Sequence, residues 1–177
     1  VLSSGIAAIT GFLLTTLKAD DHVLLFYESY KPTRVFVKNF LSKYGVRYSI
    51  VSIADEKAIR SAVATHRPKV VIFESPTNPV LRIADIAMLC ECSKDVGALL
   101  VMDNTFASFH NHGQFPIDVY LHSLSKFTNG HGDGLGGAIL GSKDLIDSIR
   151  MPVAELGACL DPAAANLMLR GMKTYFL

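Results

Sequence analysis

Three observations predict a doubly wound α/β fold, a largely parallel sheet with helices on both faces. Short apolar runs of the kind buried on both faces recur along the chain, among them "HVLLFY" at 22–27, "KVVIFE" at 69–74 and "ALLVMD" at 98–103. Stretches long enough for helices separate them, several opened by a capping residue or proline and closed by glycine. No internal repeat or low-complexity linker interrupts the alternation.

Ser3 or Ser4 caps a first helix that carries Ile6, Ile9, Leu13 and Leu17 and ends before Asp20 and Asp21. The apolar strand at 22–27 follows. Pro32 suits the first turn of a second helix bearing Val35, Phe36, Phe40 and Leu41, which Gly45 stops. "VRYSIV" at 46–51 alternates as a strand does, and a helix runs from Asp55 to Thr65. After the strand at 69–74, "SPTNP" breaks the pattern with two prolines. A helix then spans 84–96, stopped by Gly97. Strands at 98–103 and 118–123 come next, and "LGGAILG" is a further strand that reverses direction after the preceding loop. Two helices, "SKDLIDSIR" capped by Ser142 and "DPAAANLMLRGMKTYF" capped by Asp161, complete the order.

In the 177 residues, 50% hydrophobic content against 19% charged is enough for a buried interior and excludes general disorder. With 17 basic and 16 acidic side chains the net charge is +1, and no basic run could neutralise a row of phosphates, which argues against nucleic acid. Cys90, Cys92 and Cys159 fit neither a zinc site nor a disulfide framework, so a reducing, cytoplasmic compartment is expected. Cys90 is expected in the core. No run approaches the ~20 apolar residues of a membrane span. The chain opens without methionine and stops within a helical segment, and so is expected to be a piece of a longer polypeptide.

Ligands of such sheets bind outside the carboxyl ends of the strands. Here those ends carry residues 27–30, 74–79, 103–106 and 123–126. Asp103 ends an entirely apolar strand, and Lys126 follows the next one. They form either a structural ion pair or a cofactor site, in which the lysine holds an aldehyde as a Schiff base and the aspartate keeps a pyridine nitrogen protonated. "SSGIAA" offers the amides of a helix N-terminus to a phosphate, with Ser123 and Ser125 as hydroxyl donors and Tyr30 as a stacking face. His110 and His112 lack a neighbouring third ligand and read as loop residues. His131 and Asp133 read as shaping the loop after Lys126. "GDGLGG" precedes a strand instead of opening a helix, so a dinucleotide site is excluded on context.

Taken together, "SSGIAAI", "ESPTNP", "DNTFA" and "HSLSKFTNGHGD" resemble, in order and spacing, the motifs of the Cys/Met-metabolism family of pyridoxal-phosphate enzymes. The resemblance implies fold type I of these enzymes, with residues 1–177 as the large cofactor-binding domain of a longer chain whose N-terminal segment and C-terminal domain lie outside it. It implies pyridoxal 5'-phosphate as cofactor, with Lys126 its covalent lysine and general base. Asp103 would pair with the pyridine nitrogen, and Gly5 and Ile6, assisted by Ser123 and Ser125, would hold the phosphate. Tyr30 would stack on the ring and take part in proton transfer, Asn78 would lie near the 3'-oxygen, and Thr105 would support Asp103. A small sulfur-containing amino acid as substrate and a homo-oligomer, dimer or tetramer, follow from the same resemblance.

The turn Tyr30-Lys31-Pro32-Thr33 looks more like that of bacterial cystathionine β-lyases, which cleave cystathionine to homocysteine, pyruvate and ammonia. Phe106 points toward the γ-enzymes of the family, the γ-synthase, γ-lyase and methionine γ-lyase types. β-Elimination is the leading expectation and γ-elimination or replacement the alternative. A non-catalytic α/β binding module with a structural Lys126–Asp103 pair is the reading outside enzymes.

Overall fold

The computed structural model describes residues 1–175, which divide into two compact units: Leu17–Val119, and Val1–Thr16 together with the segment that starts at Tyr120. In the first unit, β1 (His22–Phe26), β2 (Arg47–Val51), β3 (Val70–Glu74) and β4 (Leu99–Asp103) lie in the order β2-β1-β3-β4, and every pairing is parallel. Helices α2 (Lys31–Asn39), α3 (Glu56–His66) and α4 (Ile86–Val96) connect them. Parallel strands covered on both faces need no polar alternation, which is why β1 and β3 are buried at all five positions. The edge strand β2 is only half-buried, as one free side allows.

Two of these helices open on caps that the sequence reading had not named, and the second of them closes on the glycine that it had. Asp55 accepts the Ala58 amide at 2.9 Å and Asp85 that of Met88 at 3.0 Å, and Gly97 takes the left-handed conformation that ends α4. The second helix differs from expectation. It ends at Asn39, and a 3-10 turn at Leu41–Tyr44 leads to Gly45. Its buried face is Thr33 and Val37; Val35, two positions from each, lies on the opposite face and is exposed, and Phe40 is exposed where the chain re-aims. Cys92, not Cys90, is the buried cysteine, since it lies on the face of α4 shared with Met88 and Leu89.

The second unit contains α1 (Gly5–Thr16), β5 (Val119–Ser123, entering from the first unit), β6 (Gly137–Gly141), α5 (Lys143–Glu155) and α6 (Pro162–Met172), with β5 beside β6. Ser4 caps α1 through the Ala7 amide at 3.1 Å. Ala8, Ile9, Phe12 and Leu13 form its buried face, and Ile6, expected on that stripe, is exposed. Leu2 exchanges both backbone hydrogen bonds with Gly137 at 2.8 Å, which ties the entry of α1 to β6. The fifth helix runs past the expected Arg150 and through Pro152. Asp161 caps α6 through the amides of Ala163 and Ala164, and the Phe176 end of the helix read there lies outside the described residues. No helix among the described residues is long and apolar enough to cross a membrane.

Candidate active site

In the first unit the direction of the chain out of the sheet reverses between β1 and β3. Those two strands pair in register only at Val23↔Val70 and Leu24↔Val71, so their carboxyl ends open a crevice of the kind that takes ligands in this architecture. Tyr30, Glu74, Asn78 and Asp103 gather around that end. Asp103 lies in register with Glu74 on the neighbouring strand. Thr105 donates to Asp103 Oδ1 twice, through its amide at 3.1 Å and its hydroxyl at 2.6 Å. Both bonds fall on one oxygen, so Oδ2 is the acceptor available to a ligand. Burial pushes the Asp103 carboxyl up from its ordinary value, against the lowering effect of the Thr105 bonds. A cationic ring nitrogen beside Oδ2 would reverse that penalty.

Glu74 is the residue that the sequence reading passed over. It is buried, and its carboxyl accepts the Tyr30 amide at 2.6 Å and the Asn78 amide at 2.9 Å. Burial first, then the charge of Asp103, raises its pKa to about 7. The signal was present in the sequence, because Glu74 ends an apolar strand as Asp103 does. The Tyr30 side chain is exposed, and Asn78 lies in a loop with cis peptide bonds before Pro76 and Pro79. Beyond β4, Asn104 was also passed over. Its side chain donates to Ser108 O at 2.7 Å and lies 3.0 Å from His112 Nδ1, which builds His112 into the loop.

In the second unit, Gly5 opens α1 directly against Ser123 at the end of β5. A Cβ on Gly5 would lie 2.5 Å from Ser123 Cβ and 2.9 Å from its Cα. That approach places the Gly5 and Ile6 end of the helix, with its unpaired amides, beside the Ser123 hydroxyl. Gly5→Ala is therefore expected to push α1 from β5, at a cost of about 1–3 kcal/mol. The measurement is the thermal midpoint of the variant together with its affinity for inorganic phosphate, and both should fall.

Ser125, two residues beyond Ser123, is engaged with the loop that follows Lys126. Its Oγ accepts the Gly136 amide at 2.9 Å and lies 3.3 Å from Gly136 O, clasping the loop that leads into β6. Lys126 is exposed, one turn after Ser123, and the Gly130 amide donates to its carbonyl at 2.8 Å. The loop that follows is pinned by its own side chains. Asn129 Nδ2 donates to Asp133 at 3.0 Å, Asp133 pairs with Arg170, and His131 Nδ1 meets Asn129 O. Gly171 of α6 is required there, since a Cβ would lie 2.3 Å from Asn129 O. His131 and Asp133 thus shape the loop, as their sequence suggested.

The donor set fits pyridoxal phosphate. The first unit carries, in Asp103 Oδ2, a carboxylate oxygen that accepts no hydrogen bond among the described residues and suits a pyridine nitrogen. The second carries a helix start, a hydroxyl and an exposed amine.

The whole chain, residues 1–177, matches the model of the Cys/Met metabolism PLP-dependent enzyme family. It is 37% identical to cystathionine gamma-synthase 1, chloroplastic, of Arabidopsis thaliana, over all of this chain and 32% of that protein. It is also 37% identical to the L-methionine gamma-lyase of Pseudomonas putida, over 98% of this chain and 44% of that one. Among solved structures, cystathionine gamma synthase from Xanthomonas oryzae pv. oryzae in complex with cystathionine superposes with a TM-score of 0.90 at 31% identity, covering 99% of this chain and 46% of the other. The chain thus spans less than half the length of these relatives. With four motifs in order and a match along its full length, the chain belongs to the Cys/Met-metabolism family of pyridoxal-phosphate-dependent enzymes.

Proposed function

We propose that this chain is the cofactor-binding part of an enzyme that eliminates or replaces a group at the γ carbon of a sulfur-containing amino acid. The observation that carries the choice of carbon is the pair of relatives at 37% identity, one named a γ-synthase and the other a γ-lyase. The β-elimination suggested by the Tyr30 turn has less support, because it rests on one loop whereas the similarity to the γ-enzymes runs along the whole chain. The residues 1–177 are proposed as the large domain of that enzyme, which acts as a homo-oligomer.

Pyridoxal phosphate, when bound, supplies an electron sink that makes loss of the Cα proton feasible. The chain supplies the rest. Asp103 Oδ2 holds a proton on the ring nitrogen and balances its charge, with Thr105 fixing the carboxylate. The amides of Gly5 and Ile6, with Ser123 and Ser125, hold the phosphate and so fix the register of the ring. Tyr30 covers the ring face and lies where it can take a proton from the substrate amine. Asn78 orients the 3'-oxygen. The Lys126 amine would tether the cofactor and, when free, would carry protons off Cα and Cβ. Departure of the thiol from Cγ breaks one C–S bond, and the leaving sulfur takes a proton.

The test is the identity of the keto acid released from cystathionine by the full-length enzyme. With one water consumed and ammonia released, γ-elimination leaves the four-carbon 2-oxobutanoate with cysteine, and β-elimination leaves pyruvate with homocysteine. 2-Oxobutanoate is expected, and pyruvate as the main product would restore the β-lyase reading. A full-length protein that stays colourless and takes up no pyridoxal phosphate would favour the binding-module reading with its structural Lys126–Asp103 pair.

A further inference from the structure

We infer that Glu74 is a positioning residue, a clasp across the crevice between β1 and β3 that fixes the two loops carrying Tyr30 and Asn78. The inference deepens the proposed function and rests on it. Its geometry is independent of any ligand.

The Tyr30 amide follows β1 and the Asn78 amide follows β3, and one carboxylate accepts both, at 2.6 and 2.9 Å. At this level the strands are no longer paired with each other, since their register ends at Leu24↔Val71. The clasp does here what sheet hydrogen bonds do lower down. Tyr30 is also the N-cap of α2 and has no side-chain cap of its own, so the Glu74 carboxylate supplies an anion at that helix start. Only 6% of Glu74 is exposed, which makes the two bonds costly to lose. A glutamine has one acceptor oxygen and would set an NH₂ group against the second amide.

The groups facing Glu74 are Asp103 on β4, which raises its pKa, and Arg34 on α2, which lowers it. Burial and Asp103 together outweigh Arg34 and the two amide bonds, and the carboxyl is pushed up to about 7. The ionised form accepts both amides. The protonated form turns an O–H toward one of them. The clasp is therefore complete above pH 7 and weakens as pH falls through it.

The experiment uses the full-length enzyme and three readouts. Hydrogen exchange of the Tyr30 and Asn78 amides in the cofactor-free protein should rise at least tenfold in Glu74→Gln, at one fixed pH. Pyridoxal-phosphate affinity should fall by about tenfold. The visible circular dichroism per bound cofactor, which reports how the Tyr30 face is set against the ring, should shrink. Wild-type affinity should weaken as pH drops from 8 to 6, and the variant should lose that step. Glu74→Asp, which keeps the charge one methylene shorter, should fall between the two. Wild-type exchange, affinity and dichroism in both variants would overturn the clasp. A lower melting temperature with unchanged dichroism and pH profile would also overturn it, since it would leave Glu74 a purely structural residue. Failure of the wild type to bind pyridoxal phosphate would overturn the proposed function instead, while the exchange readout would still judge Glu74.

Discussion

Lys126→Ala is expected to leave a folded protein that no longer holds pyridoxal phosphate covalently and that loses roughly 10⁴-fold or more in turnover. Proton transfer by a positioned amine is worth up to about 10⁴ on its own, and the lost tether adds to it. The side chain is exposed on the turn after β5, and the backbone of that turn is held by the Gly130 amide, so truncation removes chemistry without opening a cavity. The measurements are the near-violet absorption of the tethered cofactor and the steady-state rate. Both should vanish while the melting temperature of the cofactor-free protein stays within error. Retention of either would remove Lys126 from the proposed machinery.

The second large effect concerns Asp103→Asn. An amide keeps the shape of the carboxylate and an acceptor for Thr105, but it cannot balance a protonated ring nitrogen. Turnover should fall by about 10²–10³, the scale of losing one preorganised electrostatic group. Stability should move the other way. A carboxyl whose folded pKa is raised favours the folded state at low pH and weighs against it once the pH passes that value. At neutral pH the cofactor-free Asn variant should therefore melt at or above the wild-type temperature. A large drop in melting temperature would make Asp103 a structural residue and would sink its assigned role.

The opposite signs of these two readouts separate function from fold. A buried carboxylate retained purely for stability would be expected to be paired more fully than Asp103, which takes both Thr105 bonds on Oδ1. The same logic distinguishes Glu74, which uses both of its oxygens internally and so acts through other residues.

What the sequence could show followed from local rules. Caps at Ser4, Ser142 and Asp161 were legible because a short polar side chain before a helix satisfies free amides wherever the helix packs. The strands were legible because burial on both faces demands continuous apolar runs. The order of the motifs carried the family and the cofactor. The pattern failed where spacing on one segment was read as one helix. Phe40 is exposed because the chain re-aims there, and no periodicity records such a bend.

Fold class and the residue types at the strand ends were readable from order within short windows, and the cofactor chemistry from the succession of four motifs. Only the tertiary structure decided which of those residues meet. Glu74 reaches Tyr30 across 44 positions, Ser125 turns to Gly136 and Gly5 presses on Ser123, because hydrogen bonds and van der Waals contacts depend on distance in space, which chain separation does not report.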